Sequence, residues 1–322
     1  MKETNEGKAV GIKDSLISWR TLIGFSVSAV VLYLFFRNFD LAGAVSAASR
    51  AEWKYLSLAF IVHYISLPLR GWRWGNLLRP AGHAVANISL SKYYFLSWFA
   101  NALLPARMGD LYRAYILKKN KDISISLSLG VLFSERVFDL VAIASLTAFS
   151  GIYYWSVLKG SPESNYLIFG FMAVMMILAF FMAAALGMPS LIKFAPEKWR
   201  GKLASFSAGL FKSPSLLPVI ILLTFLIWIS EAFRLYFVFL AFGIDAGFLS
   251  ALFISQAALI IMAIPLSPAG LGLVEILMLK ILTSMGILAH LAGAVTLVDR
   301  VISYWSLLIL GALTYLAKTG DE

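Results

Sequence analysis

Two long apolar runs, each broken by a proline and glycine cluster, constrain this chain more than any other feature. They are residues 88–117, interrupted at Leu104-Pro105-Ala106-Arg107-Met108-Gly109-Asp110, and residues 249–288, interrupted at Pro265-Leu266-Ser267-Pro268-Ala269-Gly270-Leu271-Gly272. Proline removes a backbone donor and glycine loosens the helix, so such a cluster ends one helix and begins another. Each arm then has about 12 to 17 residues, and at about 1.5 Å per residue it reaches only part way through a hydrocarbon layer about 30 Å thick. Both runs read as re-entrant helical hairpins that leave on the side they entered. Irregular backbone at that depth is tolerated only where protein buries it or a polar cavity lies beside it.

Six other stretches are long and apolar enough to span: residues 19–36, 52–69, 123–151, 166–187, 217–242 and 291–316. Composition points to lipid as the solvent, because 60% of the 322 residues are apolar and only 14% are charged, against about 45–50% and about 25% in water-soluble domains. Residues 1–18 lack the apolar core and cleavage site of a secretory signal, so the first stretch reads as an uncleaved anchor. If both hairpins return to their own side, 19 of the 27 Lys and Arg fall on the side of the N-terminus and four on the other. The positive-inside rule makes that side cytoplasmic, and it accounts for the net charge of +10 without nucleic acid. The expected fold is all-α: a polytopic protein of the cell (cytoplasmic) membrane, with six spanning helices, two re-entrant hairpins and both termini cytoplasmic, as one domain over residues 1–322. Cysteine is absent and His63, His83 and His290 share no ligand spacing, so no metal site and no cofactor is expected.

The two breaks resemble each other, and each is followed by similar charges. Ser134-Glu135-Arg136-Val137 comes after the first and Val298-Asp299-Arg300-Val301 after the second; Gly109 to Glu135 is 26 residues and Gly272 to Asp299 is 27. Each unit reads as span, hairpin, span, over residues 51–151 and 217–317, and the topology gives the two opposite orientations. Inverted repeats with broken helices are characteristic of transporters.

Charges inside apolar helices carry the chemistry. Glu135 and Asp139 share a helix face at i, i+4, Glu231 and Arg234 are at i, i+3, and Glu275 follows Gly272 by three residues. A charge at the bilayer centre costs at least about 2.5–3.5 kcal/mol, so these groups pair inside the bundle or line a wet cavity. Structural ion pairs locking the repeats, and a polar path for a charged substrate, are the two readings; Glu231 and Arg234 also read as a self-neutralising pair. Ser267-Pro268 has the pattern of a helix N-cap followed by proline at N1, which would aim free N–H groups and a positive dipole end at an anion. Arg107 and Arg113 add donors at the first break, with Asp110 as a cap or a balancing charge. Close helix packing alone is the competing explanation for the prolines and glycines. Lys118-Lys119-Asn120-Lys121 and residues 193–212 are expected to hold anionic headgroups, and Trp72, Trp74, Trp98, Tyr153, Tyr154 and Trp155 to anchor at the interface.

At these motifs the chain resembles the transmembrane region of lysylphosphatidylglycerol synthase, the flippase-like half of the multiple peptide resistance factor, and its stand-alone bacterial and archaeal relatives. Pro105 to Asp110 with Arg113, Glu135, Arg136 and Asp139 resemble that family's first block. Ser267 to Gly272 with Glu275, Asp299 and Arg300 resemble its second, in which Ala269 stands where glycine is common; Met108 is a departure in the first. The resemblance covers nearly the whole chain and implies a lipid transporter or flippase for an anionic or aminoacylated phospholipid or a polyprenyl-phosphate-linked lipid. Arg107, Gly109, Asp110, Arg113, Glu135, Arg136, Asp139, Ser267, Gly270, Gly272, Glu275, Asp299 and Arg300 would form the substrate path. The sequence ends at Glu322 without a soluble aminoacyl-transferase domain, so synthase activity and catalytic residues are not expected. A membrane transferase acting on a lipid headgroup or polyprenyl phosphate, and an assembly partner of a separate lipid synthase, are the alternatives. Membrane lipids with phosphate headgroups are the expected partners; a homodimer and a separate lipid-modifying synthase stay open.

Overall fold

The computed structural model describes residues 40–104, 107–158, 190–210, 213–263 and 267–319, with scattered helical positions in 26–37 and 172–188. Most of the stretches at 19–36 and 166–187, together with Pro105, Ala106, Pro265 and Leu266, lie outside the described residues. Those described are helical, with no strand among them. The helices are α1 (Leu41–Ser49), α2 (Trp53–Leu78), α3 (Asn87–Leu103), α4 (Met108–Lys121), α5 (Ile125–Leu158), α6 (Glu197–Gly209), α7 (Leu217–Ala241), α8 (Gly247–Ala263), α9 (Leu273–Ser284), α10 (Ala289–Arg300) and α11 (Ser306–Thr319). A π turn, Val301–Trp305, joins the last two.

Both expected breaks are present, and both fold the chain back on itself. At the first, Ser97 Oγ of α3 donates to the carbonyl of Gly109 on α4 at 2.8 Å. A Cβ on Gly109 would overlap the Ser97 carbonyl and lie 2.7 Å from the Asn101 nitrogen, so only glycine lets the two arms meet here. At the second, Pro268–Gly270 makes a 3-10 turn and α9 starts at Leu273. One non-glycine residue in each break takes a left-handed backbone: Arg107 at φ 54° and Ala269 at φ 47°. Glycine adopts such angles without a Cβ penalty, which accounts physically for the glycine the related block usually carries at Ala269.

α2 and α7 run antiparallel. The Glu52 N–H at the start of α2 donates to the Ala241 carbonyl at the end of α7 at 2.8 Å, while Arg73, near the other end of α2, donates to Thr224 Oγ1 at 3.1 Å. Two apolar cores flank this pair. One joins Trp74 and Leu78 of α2 to Leu90 and Tyr94 of α3, Leu117 of α4 and Val131 of α5. The other joins Val238 and Phe239 of α7 to Phe253 of α8, Met278 and Leu282 of α9, and Val295 of α10. The π turn lets Tyr304 donate to the Ala102 carbonyl beside the first break at 3.2 Å, and Gly311 of α11 packs against the Phe99 ring of α3. The exterior is rich in apolar side chains, Ile88, Phe149, Ile152 and Leu186 among them. Segments Pro214–Ala241 and Ala289–Thr314 are each long and apolar enough to cross a membrane.

Two expectations need correction. The span expected at 52–69 continues in α2 to Leu78, so Arg70 and Arg73, which those bounds left beyond the span, are interior residues at 3% and 0% exposure. Trp74 and Trp98 are not interface anchors: Trp74 is buried under the Arg113 guanidinium, 4.6 Å from its ring, and Trp98 stacks on His63. Trp72 stays exposed, and the Tyr153, Tyr154 and Trp155 side chains lie outside the described residues.

Gly109→Val tests the hairpin closure. Overpacking of this kind costs about 1–3 kcal/mol, so thermal unfolding of detergent-purified protein should shift down by several degrees. Gly201→Ala, on α6 with open space around it, should leave the transition unchanged.

Candidate functional site

The charges expected inside apolar helices do converge, and they arrive in neutral sets. In the first, Arg73 reaches Asp139 at 2.6 Å and Glu135 at 3.1 Å, Arg113 reaches Glu135 at 3.2 Å, and Arg136 reaches Asp110 at 3.2 Å and Asp139 at 3.3 Å. Three guanidiniums thus meet three carboxylates. Tyr94 adds a hydroxyl donor to Glu135 at 2.9 Å and Trp228 an indole donor to Asp139 at 3.0 Å. In the second set, Arg70 of α2 reaches Glu231 of α7 at 3.2 Å, Arg234 reaches Glu231 at 3.3 Å, and Arg234 also bonds Asp299 of α10. The third is the pair Arg300 Nε to Glu275 Oε1 at 2.7 Å. All six carboxylates are buried. In a low-dielectric interior that is tolerable only because each carboxylate has a guanidinium partner; Asp110, Glu135, Asp139 and Glu275 each accept from a further donor as well.

The pairing within residues 51–151 has a counterpart within residues 217–317. Arg73 of α2 pairs with Glu135 of α5 as Arg234 of α7 pairs with Asp299 of α10, and Asp110 of α4 pairs with Arg136 as Glu275 of α9 pairs with Arg300. Glu135 and Asp139 share the face that meets Arg73, as their spacing predicts. Arg234 does pair with Glu231, but each also binds elsewhere, so they are links in a chain rather than a closed couple. Arg70 to Glu231 links residues 51–151 to residues 217–317, as do the Trp228 to Asp139 and Arg73 to Thr224 hydrogen bonds.

These sets surround a cavity of about 410 Å³ between the breaks. Of the expected residues, Arg107, Asp110, Arg136, Ser267, Asp299 and Arg300 line it. Arg113, Glu135, Asp139 and Glu275 are buried behind them and hold the lining arginines or their partners. Gly109, Gly270 and Gly272 serve the turns; Gly270 and Gly272 have φ of 68° and 90°.

Two details depart from the expectation at the breaks. Ser267 does not cap a helix: its hydroxyl is buried without a hydrogen-bond partner among the described residues. Nor does α9 offer a vacant N-terminus, because Glu275 takes the Gly272 N–H at 2.6 Å and places its own carboxylate there. Asp110 balances Arg136 and accepts from Asn101 at 3.3 Å, and it makes no cap bond. Among the described residues no cluster could hold a metal ion.

Sequence reasoning missed Arg70, Arg73, His63, Tyr94 and Trp228. His63 is stacked on Trp98 with ring centroids 5.4 Å apart, and its Nδ1 is 3.6 Å from Glu231. Arg70 lies over the rings of Trp98 and Trp228, each 4.9 Å away. A signal was present: His63, Ser66, Arg70 and Arg73 recur at intervals of three and four, a polar stripe down one face of an otherwise apolar helix.

This architecture coincides with a match to known proteins. Residues 21–311 match the family described as lysylphosphatidylglycerol synthase TM region. The chain belongs to that family. Among its relatives, the UPF0104 membrane protein MJ1078 of Methanocaldococcus jannaschii is 38% identical over 220 residues, covering 67% of this chain and 93% of that protein. A UPF0104 membrane protein of Methanothermobacter thermautotrophicus is 27% identical over 303 residues, 86% of this chain and 87% of the other. A third, named glycosyltransferase AglD, from Haloferax volcanii, is 32% identical over 123 residues, which is 38% of this chain and 20% of that protein. The family is one of membrane proteins, in keeping with the helical fold and apolar exterior.

The ion-pair sets make a stability prediction. Arg73→Ala strips Glu135 and Asp139 of a shared partner, and an unpaired buried charge costs about 3–5 kcal/mol. Lys118→Ala breaks the exposed Lys118 to Asp122 pair and should leave the thermal transition unchanged. Thermal unfolding of both variants in one detergent checks the contrast.

Proposed function

We propose that this protein moves a lipid between leaflets, with the headgroup passing through the cavity between the two breaks while the acyl chains stay in the surrounding hydrocarbon. The observation that carries the reading is the cavity itself: a charged chamber of about 410 Å³ between folded-back helices, inside a chain whose exterior is apolar. That volume lies within the range of about 300–1,000 Å³ typical of ligand pockets and suits a headgroup rather than a whole lipid. Fixed guanidiniums and carboxylates replace the hydration a polar headgroup gives up on leaving water, which lowers the cost of crossing. Trp98, Trp228, Leu259, Met262 and Leu307 supply an apolar part of the lining for the glycerol or first methylenes.

The membrane arrangement that goes with this reading has six spans, two re-entrant hairpins, both termini in the cytoplasm and units 51–151 and 217–317 inverted with respect to each other. The antiparallel run of α2 and α7, which open the two units, supports the inversion. The charge asymmetry supports the orientation. Taking Arg70, Arg73, Arg107 and Arg113 out of the cytoplasmic count leaves 15 basic residues there against four on the other side.

A transferase acting on a polyprenyl phosphate is the second reading, favoured by the likeness to a protein named glycosyltransferase. It calls for a free carboxylate as base at the cavity, whereas Asp110, Glu231 and Asp299 are each tied to an arginine. Translocation makes no such demand.

Reconstitution into vesicles with fluorescent phospholipids tests the proposal. Bleaching of the outer leaflet should reveal exchange at least tenfold faster than in protein-free vesicles, and Asp299→Asn, which removes a charge from the cavity wall, should slow it by tenfold or more while eluting as a folded protein. Exchange equal to that of empty vesicles would refute translocation. Product formed from a sugar donor by the purified protein would favour the transferase.

A further inference from the structure

Among the described residues, the charge balance around the cavity leaves one arginine over. The three ion-pair sets hold six arginines and six carboxylates, and each set is neutral. A seventh arginine, Arg107, lines the same cavity and takes part in none of these pairs. It sits within the first break, in the left-handed conformation, at φ 54° and ψ 38°, between the last turn of α3 and the first of α4. From the second break, lining the same cavity, comes Ser267, 5% exposed, whose hydroxyl finds no partner among the described residues. A buried hydroxyl without a partner carries a desolvation penalty that a ligand atom would relieve.

We infer that Arg107 and Ser267, one from each break, form an anion subsite for a phosphate group bearing a single net negative charge, so that the cavity selects headgroups that are anionic overall. Guanidinium supplies paired donors that match phosphate oxygens, and the serine hydroxyl donates to a third. One unpaired cation neutralises one phosphodiester. A zwitterionic headgroup would bring a second positive group into a wall already balanced, and an aminoacylated one would bring more. This rests on the translocation reading for its biological sense but not for its test, since binding is measured without transport.

The experiment is equilibrium binding to the detergent-purified full chain, read by the fluorescence of Trp98 and Trp228, with dihexanoyl phosphatidylglycerol, dihexanoyl phosphatidylcholine and inorganic phosphate as probes. Phosphatidylglycerol should bind at least tenfold more tightly than phosphatidylcholine. Arg107→Asn should abolish that difference; asparagine tolerates the left-handed backbone, so the variant removes charge without refolding the break. Arg107→Lys should keep most of the preference, Ser267→Ala should weaken phosphatidylglycerol severalfold, and Lys54→Gln, exposed at the start of α2, should change nothing. Inorganic phosphate binding as tightly as the lipid, and lost in Arg107→Asn, would keep the subsite and assign it to the free ion. Equal affinity for the two lipids, or a preference that survives Arg107→Asn, would overturn the inference. If Arg107→Asn fails to fold, the lipid comparison on the native protein and the Ser267→Ala variant decide the matter. Anion-selective binding without leaflet exchange would remove the translocation reading and leave the subsite standing; leaflet exchange with no selectivity would do the opposite.

Discussion

A carboxylate taken out of water must be given back a positive charge and a set of donors, or it will not stay ionised where it is. In this chain the requirement is met six times over, and meeting it dictates how the helices stand. Arg73 can serve Glu135 and Asp139 only if α2 lies along α5, and Arg70 can serve Glu231 only if α2 lies along α7. Arg234 and Arg300 impose the same discipline on α7, α9 and α10. The apolar cores fill the space on either side, yet shape alone would accept several registers; the pairing geometry accepts few. Ionic networks of this kind contribute more to the choice of one arrangement than to its raw stability.

The consequence for chemistry is a chamber with rigid walls. Each lining arginine except Arg107 is held by a carboxylate from a neighbouring helix, and two by aromatic faces as well, Arg70 by Trp98 and Trp228 and Arg300 by Tyr304. Side chains fixed in this way present their remaining donors without having to reorganise when a polar guest arrives. The two hairpins close the chamber from opposite units, so neither unit has it alone.

Much of this was visible in the residues before any coordinates. The breaks declared themselves because proline and glycine have few other reasons to sit in the middle of an apolar run, and Glu135, Asp139, Asp299 and Arg300 stood out because charge in such a run is costly. Arg70 and Arg73 were hidden by their position. They follow Pro68 and stand beside Gly71, a composition that reads as the end of a span, whereas α2 accommodates Pro68 and continues to Leu78. Which arginine would meet which acid was not legible either, because partners such as Arg70 and Glu231 are 161 residues apart and no local periodicity connects them. The N-terminus of α9 misled for a different reason: Ser267-Pro268 has the right residues for a cap, but the left-handed Ala269 and Gly270 postpone the helix to Leu273, where Glu275 already fills the role.

The bond from Tyr304 to the Ala102 carbonyl, with Gly311 seated on Phe99, has a meaning for how the protein is made. The first hairpin is braced by residues that lie about 200 positions later in the chain. At about 5–20 residues per second, a ribosome delivers that brace roughly 10 to 40 seconds after the hairpin has emerged. For that interval Ala102 and Phe99 must wait in the nascent chain without their final neighbours, and the chamber cannot close until Tyr304 and Gly311 have been made.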